Sequence, residues 1–480
     1  MTADASSRNS SGRLDSFFEI SSRRSTVAAE VRGGVVTFIA MAYIVVLNPI
    51  ILSSAKDVEG NSLDFAQVSA TTSLAAGVMT ILFGVIARLP FAFAAGLGIN
   101  SFLATTVVGS LTWPEAMGLV VIDGIIIVIL AATGLRRLIF DAVPMELKLA
   151  ITAGIGLFIL FIGLVDAGFI GSTGDPSPPV GLGSDGGGSI NTVPTVVFVF
   201  TLLLTGILVA RRVRGGILIG LVAGTLVAAA VEAIWHLGSA VERPGGWSLS
   251  VPTLSGSPFA LPDLSLVGAF SLDSFARIGV LAAVMLVFTL VFANFFDAMG
   301  TFTGLSREAG LSDEQGNFPR LRSALIVEGA GAAVGGATSA SSNTVFIESA
   351  AGIEEGARTG LANLVTGVLF LAAMFVAPLA SIVPTEVAAA ALVIVGVMMV
   401  SQVRHIDLSE FSVAMPVVLT IATMPFSYSI ANGIGIGFIA WAVLRSVAGK
   451  WREISPLLWI VAAGFLVYFA RGWIESLIGM

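Results

Sequence analysis

Apolar runs close to 20 residues long, separated by short polar stretches, recur along the chain from residue 33 onward. A continuous run of that length matches an α-helix crossing a hydrocarbon core roughly 30 Å thick. A membrane β-barrel would instead alternate over about 10 residues. The runs predict fourteen membrane segments, at 33–52, 66–87, 91–109, 115–134, 145–166, 192–210, 215–236, 276–300, 321–336, 338–353, 359–380, 384–402, 411–425 and 427–446. They are called segments 1 to 14 below. A further apolar run at 455–474 reads as an extra span or an interfacial helix. Segments 3 and 10 are short and hold several small or polar residues, so each reads as half a helix. Residues 167–191 and 237–275 are rich in Gly, Pro and Ser and read as loops. The first has no preceding strand, following helix or GK[ST] ending, and so is not a phosphate loop.

Composition narrows the class. Residues of the AVILMFWYC set make up 56% and charged residues 11%, with a mean hydropathy of +0.96. Soluble domains carry about 25% charge, so most of this surface must face a lipid bilayer. The reading is an all-α polytopic membrane protein. Net charge is −7 with no basic tract, which argues against nucleic acid as a partner. The absence of Cys excludes disulfides and thiolate chemistry. His236 and His405 lie near the ends of apolar runs and read as interfacial.

Basic residues set the expected orientation. Arg8, Arg13, Arg23, Arg24 and Arg32 precede segment 1; Arg88, Arg136, Arg137, Arg211, Arg212 and Arg214 follow even-numbered segments. Arg307, Arg320, Arg322, Arg358 and Arg404 continue the pattern, and Arg445, Lys450 and Arg452 follow segment 14. All fall on one side when the N-terminus is cytoplasmic, with Lys56 and Arg243 as exceptions. The expected organisation is a cytoplasmic tail at 1–31, without a cleavable signal, a first repeat at 32–236 and an extracellular loop at 237–275. A second repeat at 276–449 and a C-terminal apolar helix at 450–480 follow.

The repeat shows in two places. Val143-Pro144-Met145-Glu146-Leu147 opens segment 5, and Val383-Pro384-Thr385-Glu386-Val387 opens segment 12, 240 residues later. Segments 3 and 10, the two broken ones, are also seven apart. Seven is odd, so the copies insert with opposite orientation, a 7+7 inverted repeat of the kind secondary transporters use.

The broken segments hold the candidate chemistry. Residues Pro90 to Phe102 read as an extended stretch, a turn at Gly96 and Gly98, and a short helix starting near Asn100 or Ser101. Residues Gly335 to Ser349 read as an extended polar run and then a helix carrying Glu348. Irregular backbone at membrane depth must be buried in protein or line a cavity, and two half-helix N-termini there would offer free N–H groups. Asp297 sits at the end of the apolar run of segment 8. An ionisable group inside a membrane segment costs at least ~2.5–3.5 kcal/mol. Both carboxylates therefore read as functional, against a competing reading as helix caps or Arg partners. Glu328 and Asp123 also lie in or near apolar segments, and Asn100 serves either a site or helix packing.

Several ordered motifs resemble the adenine/guanine/hypoxanthine permeases, the AzgA-like branch of the nucleobase:cation symporter-2 (nucleobase–ascorbate) transporters. The stretch from Arg32 to Pro49 is similar to that branch's first segment. Ala95-Gly96-Leu97-Gly98-Ile99-Asn100-Ser101-Phe102 resembles its PGMGLNAF, and Phe296-Asp297-Ala298-Met299-Gly300-Thr301 its FDTIGT. Phe346-Ile347-Glu348-Ser349-Ala350-Ala351-Gly352 through Leu361 resembles its YIESAAG…GGRTGLT, and Met424 to Ile430 its MPLTYSI. Ala95 replaces the family's Pro, and the run from Gly336 to Glu348 is about three residues longer than usual.

The resemblance implies a core and a gate domain, with segments 3 and 10 each a short strand plus a half-helix. It implies proton-coupled uptake of a purine base through the cytoplasmic membrane. Carried over by position, Asp297, Glu348, Asn100, Phe346 and Gly98 form the substrate site, and Asp297 and Glu348 couple the proton. No other cofactor is implied, Na⁺ remains an alternative coupling ion, and a homodimer stays open. The rival readings are a xanthine/uracil or anion transporter on the same fold, an intramembrane acid/base enzyme, and a channel.

Overall fold

Capping residues start six of the described helices. The side chains of Thr26, Asp64, Thr112, Thr192, Thr359 and Ser429 each accept a backbone N–H from the first turn that follows, satisfying donors that lipid cannot. The computed structural model describes residues 13–134, 142–175, 177–248, 250–253, 257–312 and 318–478. Arg8, Arg136 and Arg137, used above for orientation, lie outside them.

The segments appear in the expected order. Segment 1 is Val27–Met41 and Ile44–Ser54, segment 2 Phe65–Ile86, segment 4 Trp113–Thr133, segment 5 Met145–Asp166, segment 6 Val193–Ala210 and segment 7 Gly216–Trp235. Segment 8 is Val280–Glu308, segment 9 Leu321–Ala337, segment 11 Gly360–Ala373 with its extension to Ala380, segment 12 Thr385–Val400, segment 13 Phe411–Phe426 and segment 14 Ile430–Val447. Segment 3 is the strand β1 (Phe93–Ala95), a helix Leu97–Phe102 and a π-turn Leu103–Val107; segment 10 is the strand β2 (Asn343–Val345) and a helix Ser349–Glu354. A last helix, Pro456–Ile478, packs on segments 8 and 14.

Three boundaries differ from expectation. Segment 1 starts at Val27 because Thr26 caps it, and it breaks at Ala42-Tyr43. Pro49 within it has no N–H for the Val45 carbonyl, and Ser69 Oγ donates to that carbonyl instead, at 3.0 Å. Segment 8 runs on to Glu308 because Ala298, Phe302 and Leu305 continue its buried face against Phe83, Phe91 and Phe318. Asp297 therefore lies within a continuous helix, not at its end.

The inverted repeat is visible in the packing. Segment 4 packs on 9 as 11 packs on 2; 5 packs on 13 as 12 packs on 6; 6 packs on 7 as 13 packs on 14. Segments 5 and 12 pack on each other. There a Cβ on Gly396 would lie 2.6 Å from the Gly156 carbonyl, and one on Gly156 2.8 Å from the Gly396 carbonyl. These two glycines are themselves 240 residues apart, the spacing of the sequence repeat.

Contacts also sort the loops onto two faces. Arg23 donates to the carbonyls of Arg88 and Arg358, Arg320 to that of Ile86, and Arg214 and Arg32 both pair with Glu355. One face is thus rich in Arg. On the other, Arg277 pairs with Glu59 and Glu115, a third basic residue there besides Lys56 and Arg243.

Candidate functional site

The two broken segments meet end to end in a two-stranded antiparallel sheet. Phe93 pairs with Val345, Ala94 with Thr344 and Ala95 with Asn343. Gly96 N–H donates to Ser342 O at 2.9 Å and Phe346 N–H to Ala92 O at 3.0 Å. Side chains of neighbouring segments complete the backbone pairing. Thr80 Oγ1 accepts from Phe93 N at 2.9 Å, Asn363 Nδ2 donates to Phe91 O at 2.7 Å, and Ser349 Oγ accepts from Ala92 N at 3.0 Å. This is how non-helical backbone survives at membrane depth.

The chain passes from strand to helix at Gly96, and neither Gly96 nor Gly98 needs a positive φ to do so. Space is what they supply. A Cβ on Gly96 would lie 3.2 Å from Thr344 Cγ2, and one on Gly98 2.6 Å from Ile155 Cγ2 of segment 5.

A cavity of about 480 Å³ opens beside the sheet, within the rough 300–1,000 Å³ range of small-molecule sites. One wall is Gly96 to Ile99 and Thr344 to Glu348, with Tyr43, Ala293, Asp297 and Thr301. The facing wall is Leu149, Thr152 and Ile155 of segment 5 with Val395, Met398, Met399 and Gln402 at the end of segment 12. Asp297, Glu348, Phe346 and Gly98 thus come together from three segments. Asn100 does not reach the wall. The half-helix starts at Leu97, earlier than expected, so Leu97, Gly98 and Ile99 take the lining positions and Asn100 turns away. It is fully buried, and neither of its amide atoms has a partner among the described residues.

Glu348 is the residue that opens the Ser349–Glu354 helix. Tyr43, fully buried at the break in segment 1, donates its hydroxyl to Glu348 Oε1 at 2.5 Å. Asp297 interacts electrostatically with Glu348. Among the described residues the lining contains no Lys, Arg or His. Two carboxylates beside an aromatic ring, with neutral Thr, Ser and Gln groups around them, suit a flat, neutral ligand bearing N–H groups better than an anion.

Sequence reasoning missed Tyr43 and the facing wall. Tyr43 carried a signal: the chain has three Tyr, and this one sits inside an apolar run. Thr152, Ile155 and Met399 carried none, since nothing local marks which face of segments 5 and 12 meets segment 3.

The facing wall reaches toward one end of the molecule. Leu149 and Thr152 lie in the first turns of segment 5, and Met398 to Gln402 at the end of segment 12, all toward the Arg-rich face. At the other end Thr106 Oγ1 donates to Tyr428 O at 3.2 Å, and the rings of Phe158 and Phe161 meet Tyr428 edge-on.

Comparison with known proteins is consistent along the chain. A family model described as "Permease family" (Xan_ur_permease) matches residues 28–436. The guanine/hypoxanthine permease PbuG of Bacillus subtilis (strain 168) is 37% identical over 461 residues, covering 95% of this chain and 99% of that protein. The adenine permease AdeP of Escherichia coli (strain K12) is 34% identical over 459 residues, covering 95% and 96%. Among solved structures, the transmembrane domain of the cyanobacterial bicarbonate transporter BicA superposes with a TM-score of 0.56 at 16% identity. It covers 91% of this chain and 97% of that one, a likeness of fold.

Proposed function

The chain belongs to the Permease family, and on that premise we propose that it imports purine nucleobases, namely hypoxanthine, guanine or adenine. Import runs through the cytoplasmic membrane with a proton as the driving ion. The Arg-rich face, and with it the N-terminus, is cytoplasmic. The observation that carries the reading is Glu348, held by Tyr43 beside Phe346 in a cavity that Asp297 also lines and that has no cationic side chain among the described residues. The names of the relatives, two purine-base permeases, support the substrate class.

A purine presents adjacent N–H donors along one edge, and a carboxylate accepts two of them at once. Tyr43 fixes the plane of Glu348 before the base arrives, so less ordering is needed on binding. The Phe346 ring offers a face for stacking. Asp297, on segment 8, is the second carboxylate and the place where a proton and a base would sense one another. Asn100, within the Leu97–Phe102 half-helix and off the cavity wall, acts on the base only through that half-helix. The cavity lining reaches toward the Arg-rich face while Thr106, Phe158 and Phe161 contact Tyr428 at the other end, an arrangement that fits an inward-facing state releasing the base.

The test is uptake of labelled hypoxanthine, guanine, adenine, xanthine and uracil into cells that lack their own permeases. Saturable uptake of a purine base, abolished by a protonophore, is the expected result. Uptake of xanthine or uracil alone would reassign the substrate. Uptake indifferent to the protonophore but requiring Na⁺ would reassign the ion.

A further inference from the structure

Behind the cavity, at mid-membrane, lies a polar cluster that the substrate site does not use. Asp123 is at the centre of segment 4 and is fully buried. Its Oδ2 accepts from Asn294 Nδ2 at 3.2 Å, and the same Nδ2 donates to Ser342 Oγ at 2.8 Å. Asp123 Oδ1 and Asn294 Oδ1 are both buried, and neither has a donor among the described residues. No Lys, Arg or His pairs with Asp123 among the described residues. Glu328 of segment 9, also fully buried, interacts electrostatically with Asp123 and with Asp297.

The mismatch is specific: two orphan acceptors and a carboxylate served by a single neutral donor, in a low-dielectric surround. A buried acceptor without a donor is costly, and a buried carboxylate without a countercharge more so. A small positive ion taken up by these oxygens would relieve both deficits. We infer that Asp123 and Asn294 form a monovalent-cation site, for a proton or Na⁺, separate from the cavity wall. The role assigned to this site rests on the transport reading, to which it adds a second seat for the coupling ion.

The cluster is wired to the cavity. Asn294 precedes Asp297 by one turn of segment 8. Ser342 directly precedes β2, and its carbonyl accepts from Gly96 at the start of the segment 3 half-helix. Filling the cation site would pull on both strands at once, so occupancy here and base binding in the cavity are linked reciprocally.

The experiment measures thermal unfolding of the purified full chain, without any base, for wild type, Asp123→Asn and Asn294→Ala. One arm lowers pH in Na⁺-free buffer; the other adds Na⁺ at fixed alkaline pH. A ligand that binds the native state raises the melting temperature with its concentration. Wild type should gain stability in one arm, which names the ion. Asp123→Asn should lose that gain and Asn294→Ala should lose at least half of it, about twofold. Identical responses of wild type and Asp123→Asn in both arms would overturn the site. Should Asp123→Asn fail to fold, an Asn294→Ala response equal to wild type overturns it alone. Hypoxanthine binding is then measured separately: a wild type that binds no purine refutes the substrate reading, while the cation result stands on its own.

Discussion

Tyr43 and Glu348 are joined by a 2.5 Å hydrogen bond that ties the break in segment 1 to the break in segment 10. Two interruptions in regular structure, 305 residues apart, thereby hold one carboxylate in a fixed pose at the cavity wall. Tyr43→Phe keeps the ring and its packing and removes the bond. Hypoxanthine affinity should fall roughly tenfold, about 1.4 kcal/mol, with the melting temperature little changed. Equal affinity in a binding assay would show that Glu348 does not depend on Tyr43 for its pose.

Glu348→Gln preserves shape but replaces an acceptor oxygen by a donor nitrogen. Base binding should weaken by more than ~1.5–3 kcal/mol, the range for a hydrogen bond to a charged group. Uptake within about twofold of wild type would remove Glu348 from the substrate site.

Gly98 touches the facing wall. Gly98→Ala places a methyl 2.6 Å from Ile155 Cγ2, closer than real contacts allow, and the half-helix must shift. Transport should drop severalfold, and Ile155→Ala in the same chain should restore part of it. A double mutant no better than Gly98→Ala would mean the defect is not this contact.

The chain contains no Cys, so single cysteines report topology against an empty background. Cys introduced within 183–188 or at Val241 should react with an impermeant thiol reagent in intact cells. Cys at positions 211–214 should react only after the cells are opened. The opposite pattern inverts the proposed orientation.

At the Arg-rich face, Lys450, Ser412 and Arg445 surround Glu410 and pull its carboxyl down from an ordinary 4.5 to about 2. Lys450 Nζ lies 2.7 Å and Arg445 2.9 Å from Glu410 Oε2. A depressed carboxyl contributes stability that is complete above its unfolded pKa and lost as pH falls through the folded one. The window therefore runs from about 4.5 down to about 2. Across its upper part the melting temperature of wild type should fall more steeply than that of Glu410→Gln, and near neutrality the difference should stay constant. Parallel curves below pH 4.5 would show that the cluster contributes nothing.

Each apolar run, its length and its interruptions are local properties, so the sequence by itself determined the fourteen segments, the broken pair, the 240-residue repeat and the intramembrane carboxylates. It determined less where the outcome depends on neighbours far along the chain. The start of the segment 3 half-helix at Leu97 follows from β1 pairing with β2, and that start decides that Gly98 faces the cavity and Asn100 does not. Asp297 lies within its helix because distant Phe83, Phe91 and Phe318 extend the packing of segment 8 beyond the hydrophobic run. Tyr43 acts at the site only because segment 1 breaks beside segment 10. Hydropathy averages over a window and is nearly uniform around these helices, so it cannot say which apolar face meets which. That choice is made by shape, where glycines such as Gly98, Gly156 and Gly396 let two backbones close to contact distance.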